Sequence, residues 1–345
     1  MSRIIKWGVI GSGGIARRRT IPEGILPSRN SELRVVFDIN ADANQSAAQE
    51  FNATAAGSLD ELLKSDIDAV YIASPANAHF EHAQQCAQAG KHVLCEKPLG
   101  LNVEEAEAMI QACQNHNVLL GAALMMRFHS QHQAALSLIQ QGKLGKPVFG
   151  RAQLSCWYPP IEGAWRQDPA EGGGGSLIDM GGHCIDLLEM FFGPVKKVSC
   201  FIHNTIHSYS SEDSAAALLF FENGAMASVD AFFCIPDASS KNMLELYGSQ
   251  GSILAKGTIG QDQAGEMIAY LEDDADYDAL QKRSNGEGLV INPPPVNTYK
   301  AEVEEFADAV LEGREPSNNA QLGLRSQKIL TACYESALSG CIENV

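Results

Sequence analysis

Over the first third of the chain, short and mostly apolar runs alternate with stretches of helical period. Ile4–Ile10, Leu33–Phe37, Asp68–Ala73, His92–Cys95 and Val118–Ala123 read as strands. Between them, the segment from Asn40 to Phe51 reads as a helix capped by Asn40 or Asp42. Ser58-Leu59-Asp60-Glu61 is a capping box opening a second helix. A third follows the turn Ser74-Pro75-Ala76-Asn77 and runs to Ala89, and a fourth runs from Asn102 to His116. This alternation predicts an α/β domain over residues 1–124, built on a doubly wound parallel sheet.

Beyond residue 124 the rhythm changes. A helix reaches Gln141 and a turn spans Gly142–Pro147. The runs 148–155, 195–204, 214–221, 225–233, 242–247, 252–255 and 266–271 then alternate and are bounded by turn residues, which predicts a mostly antiparallel sheet. Residues 125–345 are therefore expected to form a second, α+β domain. Inserted into it is a glycine-rich turn, Gly172–Gly175, feeding a helix on which Asp179, His183 and Asp186 fall at i, i+4 and i+7 and share one face. A solvated polar face or a satisfied core histidine explains that spacing as well as a site does. Val290–Pro295 is an extended linker. Two amphipathic helices, 299–312 and 320–339, stop at Gly313 and Gly340 and are expected to pack back toward the first domain.

Chemistry concentrates at strand ends. The turn after the first strand, Gly11-Ser12-Gly13-Gly14-Ile15-Ala16, has the G-x-G-x-x-A form of a dinucleotide site. Gly11 allows the tight turn, Gly13 lets the backbone approach a pyrophosphate, and Ala16 lets helix and strand pack closely, with the pyrophosphate on the helix N-terminus. The next strand ends in Asp38, placed to hydrogen-bond the adenosine ribose. Its charge opposes the extra phosphate of NADP, so the expected cofactor is NAD, with Arg17 to Arg19 as the residues that would reverse the preference. After the strand His92–Cys95 come Glu96, Lys97 and Pro98, an acid, a base and a rigid turn at the carboxyl end where ligands of open α/β sheets bind.

Composition narrows the partners. A chain of 345 residues with 45% hydrophobic and 19% charged residues is long enough for two domains with real cores. A formal charge of −17 argues against nucleic acid and anionic membranes and favours a neutral small molecule. Nine scattered cysteines without a C-x-x-C pair read as buried thiols in a reducing compartment, and neither a zinc spacing nor a membrane-length apolar run is present, so no metal and a cytoplasmic location are expected. The acidic run Glu272–Asp278 lacks the glycine and glutamate of an EF-hand and reads as a solvated loop.

Taken in order, Gly11 to Ala16, Ser74-Pro75-x-Asn77-x-His79, Glu96-Lys97-Pro98, Trp165-Arg166-x-Asp168-Pro169 and the glycine-rich Asp179-x-x-x-His183-x-x-Asp186 resemble the glucose-fructose oxidoreductase, inositol dehydrogenase and rhizopine-catabolism (Gfo/Idh/MocA) family nearly end to end. The resemblance implies a Rossmann domain followed by a domain with a large open sheet that serves subunit association, hence a homodimer or homotetramer. It implies NAD(P)-dependent hydride transfer on a sugar, inositol or related polyol. Gly11, Gly13, Gly14, Ile15, Ala16, Asp38, Ser74, Asn77, His79, Glu96, Lys97, Arg127, Trp165 and Arg166 would then bind the cofactor or border it. Lys97 would lie beside the nicotinamide, with Asp179 and His183 coming from the second domain to face it. His183 would be the general base, Asp179 its orienting partner, and Lys97 the cation that stabilises alkoxide charge, although the first and last roles are interchangeable. Trp157, Tyr158 and Trp165 offer flat faces to a sugar ring. A redox-neutral NAD-dependent glycosidase and a non-catalytic dinucleotide sensor remain as alternatives within the same fold.

Overall fold

The computed structural model describes residues 3–272, 279 and 288–345, so the acidic run after Glu272 lies outside the described residues. The chain divides into two compact units. The first runs to Met125 and adds Gly163–Gly174 and Asn297–Thr331, while the second comprises Met126–Glu162, Gly175–Val296 and the chain from Ala332 on. The division is therefore not a single cut near residue 124, because later segments return to the first unit.

In the first unit, β1 (Ile5–Ile10), β2 (Ser31–Phe37), β3 (Thr54–Ala55), β4 (Ala69–Ile72), β5 (His92–Glu96) and β6 (Leu120–Ala123) form a six-stranded sheet in the order β3-β2-β1-β4-β5-β6. Every pairing is parallel. Successive side chains point to opposite faces, and both faces are apolar. Val70, Ile72, Val93 and Cys95 enter one core cluster, whereas Ala69, Tyr71 and Leu94 enter the other with Trp7, Val9 and Phe306. The second cluster is covered by the helix Thr298–Glu312 and by Ala16–Ile25. The helix after the glycine turn is not α-helical. Ala16–Ile25 is a π-helix with Pro22 inside it, and the Leu26 N–H reaches back five residues to the Ile21 carbonyl at 3.0 Å.

The second unit holds a nine-stranded sheet. Its members are β7 (Pro147–Ser155), β8 (Val195–His203), β9 (Ser214–Phe221), β10 (Met226–Phe232), β11 (Met243–Gly248), β12 (Gly251–Lys256), β13 (Glu266–Leu271), β14 (Leu289–Val290) and β15 (Glu343–Asn344), in the order β14-β13-β12-β11-β7-β10-β9-β8-β15. All its pairings are antiparallel except β7 with β10. One face is packed by the helix Gly182–Phe192, against which Gly150 sits so closely that a Cβ there would stand 2.8 Å from Leu188. The other face alternates outward and leaves Phe201, Leu218, Phe220 and Met226 exposed. The two-residue strands β3, β14 and β15 carry no sequence pattern, since so short a pairing is set by its neighbours. Among the described residues no helix is long and apolar enough to cross a membrane.

Candidate active site

In the first unit the chemistry gathers at the carboxyl ends of β1, β4 and β5, where the strand order reverses. Gly11 follows β1 with φ of 82°, and a Cβ there would lie 2.5 Å from the Ala73 carbonyl carbon and from the Ser74 nitrogen. Only glycine serves at that approach. Gly14 is exposed, with open space where a Cβ would be, while the Ser12 hydroxyl is buried without a partner. A turn of this shape, with a helix starting behind it, fits a dinucleotide pyrophosphate.

Asp38 stands one residue past β2. Its Oδ2 accepts the Gly13 N–H at 3.0 Å and its Oδ1 the Asn40 N–H at 2.9 Å, so one carboxylate holds the glycine turn and the start of the helix Ala41–Phe51. Of the three arginines that follow, Arg17 pairs with Glu50 at 2.7 Å and Arg19 with Glu23 at 2.5 Å, whereas Arg18 is exposed. Ile39 is 89% exposed beside Asp38, an apolar surface that sequence reasoning passed over.

His79 corrects an expectation. Its ring is buried, with Nδ1 2.8 Å from the Pro98 carbonyl and Nε2 2.8 Å from the Ser74 carbonyl. Burial pulls its pKa down to about 4, against the pull of those carbonyls. A neutral imidazole carries one N–H, so it donates to one of these carbonyls while its other nitrogen lies against the second, and the buried ring sits between the turn after β4 and the turn after β5 as part of the scaffold. Ser74 is buried and its hydroxyl meets His82 Nδ1 at 2.9 Å, while Asn77 is exposed at the start of the helix Ala76–Gln88.

Glu96 and Lys97, both half-buried, lie at the end of β5 before a cis peptide bond to Pro98. Parity places Glu96 on the same face as Leu94, and Leu94 is registered opposite Tyr71. The Tyr71 hydroxyl donates to Glu96 Oε1, and Glu96 Oε2 accepts the Lys97 N–H at 3.3 Å. Burial raises the Glu96 pKa above the ordinary carboxyl range, countered by Lys97, Tyr71 and Arg166. Arg166 lies over the Trp165 ring, 4.1 Å from its centroid.

In the second unit, Asp179 belongs to a π-helical turn, Leu177–Gly181, that continues as the α-helix Gly182–Phe192 bearing His183 and Asp186. The wider π turn moves Asp179 off the strict i, i+4, i+7 spacing. Asp179 and His183 are half-buried, but Asp186 is 5% exposed and ion-paired with Arg127. Arg127 Nε lies 2.8 and 2.9 Å from the two Asp186 oxygens, and its Nη2 lies 2.8 Å from Oδ1, so two nitrogens of the guanidinium meet the carboxylate. The three residues therefore do not share a polar face, and the Arg127 guanidinium is committed to Asp186.

Sequence reasoning also missed what holds this helix. Glu212, buried just before β9, accepts the Gly175 and Leu177 N–H groups at 2.9 Å each and the Tyr334 hydroxyl at 2.9 Å, while its carbonyl accepts the Ser176 N–H at 3.0 Å. The aromatics near Trp157 are partly structural: the Trp157 ring meets His207 edge-on at 4.9 Å and remains 42% exposed, whereas Tyr158 packs on Phe233.

Residues 5–124 match an oxidoreductase family with an NAD-binding Rossmann fold, and residues 132–254 match the GFO/IDH/MocA C-terminal domain. A 1,5-anhydro-D-fructose reductase of Ensifer adhaerens is 27% identical over 340 residues, 97% of each chain. A D-xylose 1-dehydrogenase (NADP(+)) of Haloferax volcanii is 29% identical over 336 residues, covering 97% of this chain and 98% of its own. The crystal structure of an aldose-aldose oxidoreductase from Caulobacter crescentus, complexed with glycerol, superposes with a TM-score of 0.88 at 23% identity over 99% of this chain and all of that one.

Proposed function

The chain belongs to the Gfo/Idh/MocA family of oxidoreductases, and we propose that it moves a hydride between NAD and a carbinol carbon of a sugar, inositol or related polyol. The observation that carries this reading is the strand-end pair Glu96-Lys97, built into the same unit as a glycine turn that fits a dinucleotide. Relatives that span nearly the whole chain are named for sugar substrates, which supports the substrate class.

Asp38 supports NAD over NADP. Its carboxylate stands where the adenosine ribose is expected, and Arg17 and Arg19 are paired with acids rather than left for a phosphate. Exposed Ile39 offers the adenine an apolar face. The bound nicotinamide supplies the hydride acceptor or donor. For the chain's own residues, the reading assigns Lys97 to the developing alkoxide, His183 to the hydroxyl proton and Asp179 to the orientation of that imidazole. Trp165 and Arg166 border the nicotinamide, and Arg127 acts by anchoring, through Asp186, the helix that bears both Asp186 and His183.

The apolar outer face of the nine-stranded sheet supports a homodimer or homotetramer. A monomeric mass by light scattering at micromolar concentration would remove that part of the reading. The nine free cysteines support a cytoplasmic location, which cell fractionation tests.

The decisive assay is NADH formation by the purified protein across inositols, hexoses, pentoses and their acids. Activity on one class, lost in Lys97→Met, is the expected result. Failure on every compound while NADH still binds overturns the dehydrogenase reading and directs the search to glycosides.

A further inference from the structure

Three polar groups cross the apolar core of the first unit in a line. The Thr20 hydroxyl donates to Tyr71 Oη at 2.9 Å, the Tyr71 hydroxyl donates to Glu96 Oε1, and Glu96 Oε2 takes the Lys97 N–H. Thr20 is fully buried and Tyr71 is 1% exposed, the latter in an otherwise apolar cluster that includes Trp7, Val9, Leu94 and Phe306. Packing alone asks for Phe and Val at these two places, since a buried hydroxyl costs free energy unless it is hydrogen-bonded. Among the described residues, the hydroxyls are satisfied by each other and by Glu96. Thr20 reaches Tyr71 from within the π-helical stretch that begins at the glycine turn. The line therefore joins the pyrophosphate end of the expected cofactor site to its nicotinamide end.

We propose that Tyr71 and Thr20 are positioning residues that hold the Glu96 carboxylate in one rotamer and in its charged form, and thereby set how the first unit binds the dinucleotide. The proposal rests on the reading that Glu96 takes part in cofactor binding. The titratable and charged groups around Glu96 are Tyr71 on β4, Cys95 on its own strand, Lys97 just past that strand, Arg166 on the turn Trp165–Gln167, and Tyr299 on the helix Thr298–Glu312, from which Glu302 also acts on Tyr71. Lys97, Tyr71 and Arg166 favour the charged carboxylate, and burial opposes it. Removing the Tyr71 hydroxyl deletes one favouring group and leaves the ring in place.

The test is NADH affinity by fluorescence titration from the ordinary carboxyl range upward in pH, the direction in which burial moves Glu96, for the wild type, Tyr71→Phe, Thr20→Val, Glu96→Gln and the Tyr71→Phe/Glu96→Gln double variant. No substrate is needed. The wild type is expected to lose affinity on the acid side. Tyr71→Phe moves that loss to higher pH by about one unit, the worth of one hydrogen bond to a charged group, and Thr20→Val moves it less. Glu96→Gln removes the pH dependence, and adding Tyr71→Phe then changes nothing further. An unmoved acid limb in Tyr71→Phe overturns the proposal, as does an equal weakening at every pH that persists beside Glu96→Gln, the mark of a merely structural role. A wild-type limb that survives Glu96→Gln also overturns it. A dead substrate panel with the shifted limb intact sinks the proposed activity and leaves this inference standing, whereas absence of NADH and NADPH binding sinks both.

Discussion

Glu96 at the end of β5 and Glu212 ahead of β9 each put a carboxylate where water is scarce, and burial pushes both above the ordinary carboxyl range. Their partners differ in kind. Glu96 is met by a tyrosine hydroxyl, the N–H of the next residue and the charges of Lys97 and Arg166. Glu212 is met by two backbone N–H groups from the start of the His183 helix and by Tyr334. A carboxylate bound to side chains fixes its own charge and rotamer. One bound to backbone N–H groups fixes the path of the chain, because those donors are the unpaired groups of a helix start. Damage around Glu212 should therefore appear in stability, and damage around Glu96 in cofactor binding and turnover.

The largest expected effect is Gly175→Ala. A Cβ at Gly175 would stand 2.0 Å from the Glu212 carbonyl oxygen, a backbone atom that cannot swing aside. We expect a loss of about 3 kcal/mol in denaturant unfolding; a loss within ~0.5 kcal/mol, the range of ordinary surface changes, would mean that the clamp is not tight. Next is Lys97→Met, expected to cut turnover by ~10²-fold or more while the thermal midpoint stays put. Turnover close to wild type would take Lys97 out of the chemistry and blur the contrast.

Glu212→Gln is expected to cost about 2 kcal/mol, since the amide turns an N–H toward one of the two backbone donors. It also carries a pH signature. With its pKa raised in the fold, Glu212 binds its proton more tightly folded than unfolded, so its contribution is full below the ordinary carboxyl pKa and is lost as pH rises through the raised value. Subtracting the stability–pH curve of Glu212→Gln from that of the wild type should leave this downward slope, and a flat difference would contradict it. The smallest effect is Asp38→Ala, which should narrow an NAD over NADP preference by roughly tenfold, the worth of about one charged hydrogen bond. An unchanged ratio of kcat/KM for the two cofactors would refute the ribose assignment.

Much of the first unit was legible because its signals are local. A helix cap such as Asn40 or Ser58 bonds a residue three positions on, the glycine turn needs its positive φ at Gly11, and the apolar runs of β1, β4 and β5 announce strands covered on both faces. His79, read as a cofactor contact, shows where this stops. Its motif is real, but the ring is buried between two backbone carbonyls, one of them 19 residues away.

By itself the sequence determined the strand–helix alternation, the dinucleotide turn, Asp38 and the acid–base pair at the end of β5, because propensity, capping and turn chemistry act within about one helical turn. Only the tertiary structure decided that Tyr71 meets Glu96 and Thr20, that Asp186 is spent on Arg127 59 residues away, that β7 runs parallel to β10, and that Glu212 holds a helix start 35 residues behind it. A buried donor must find an acceptor, but which one it finds follows from sheet order, register and crossover path, and those are properties of the packed chain rather than of any stretch of it.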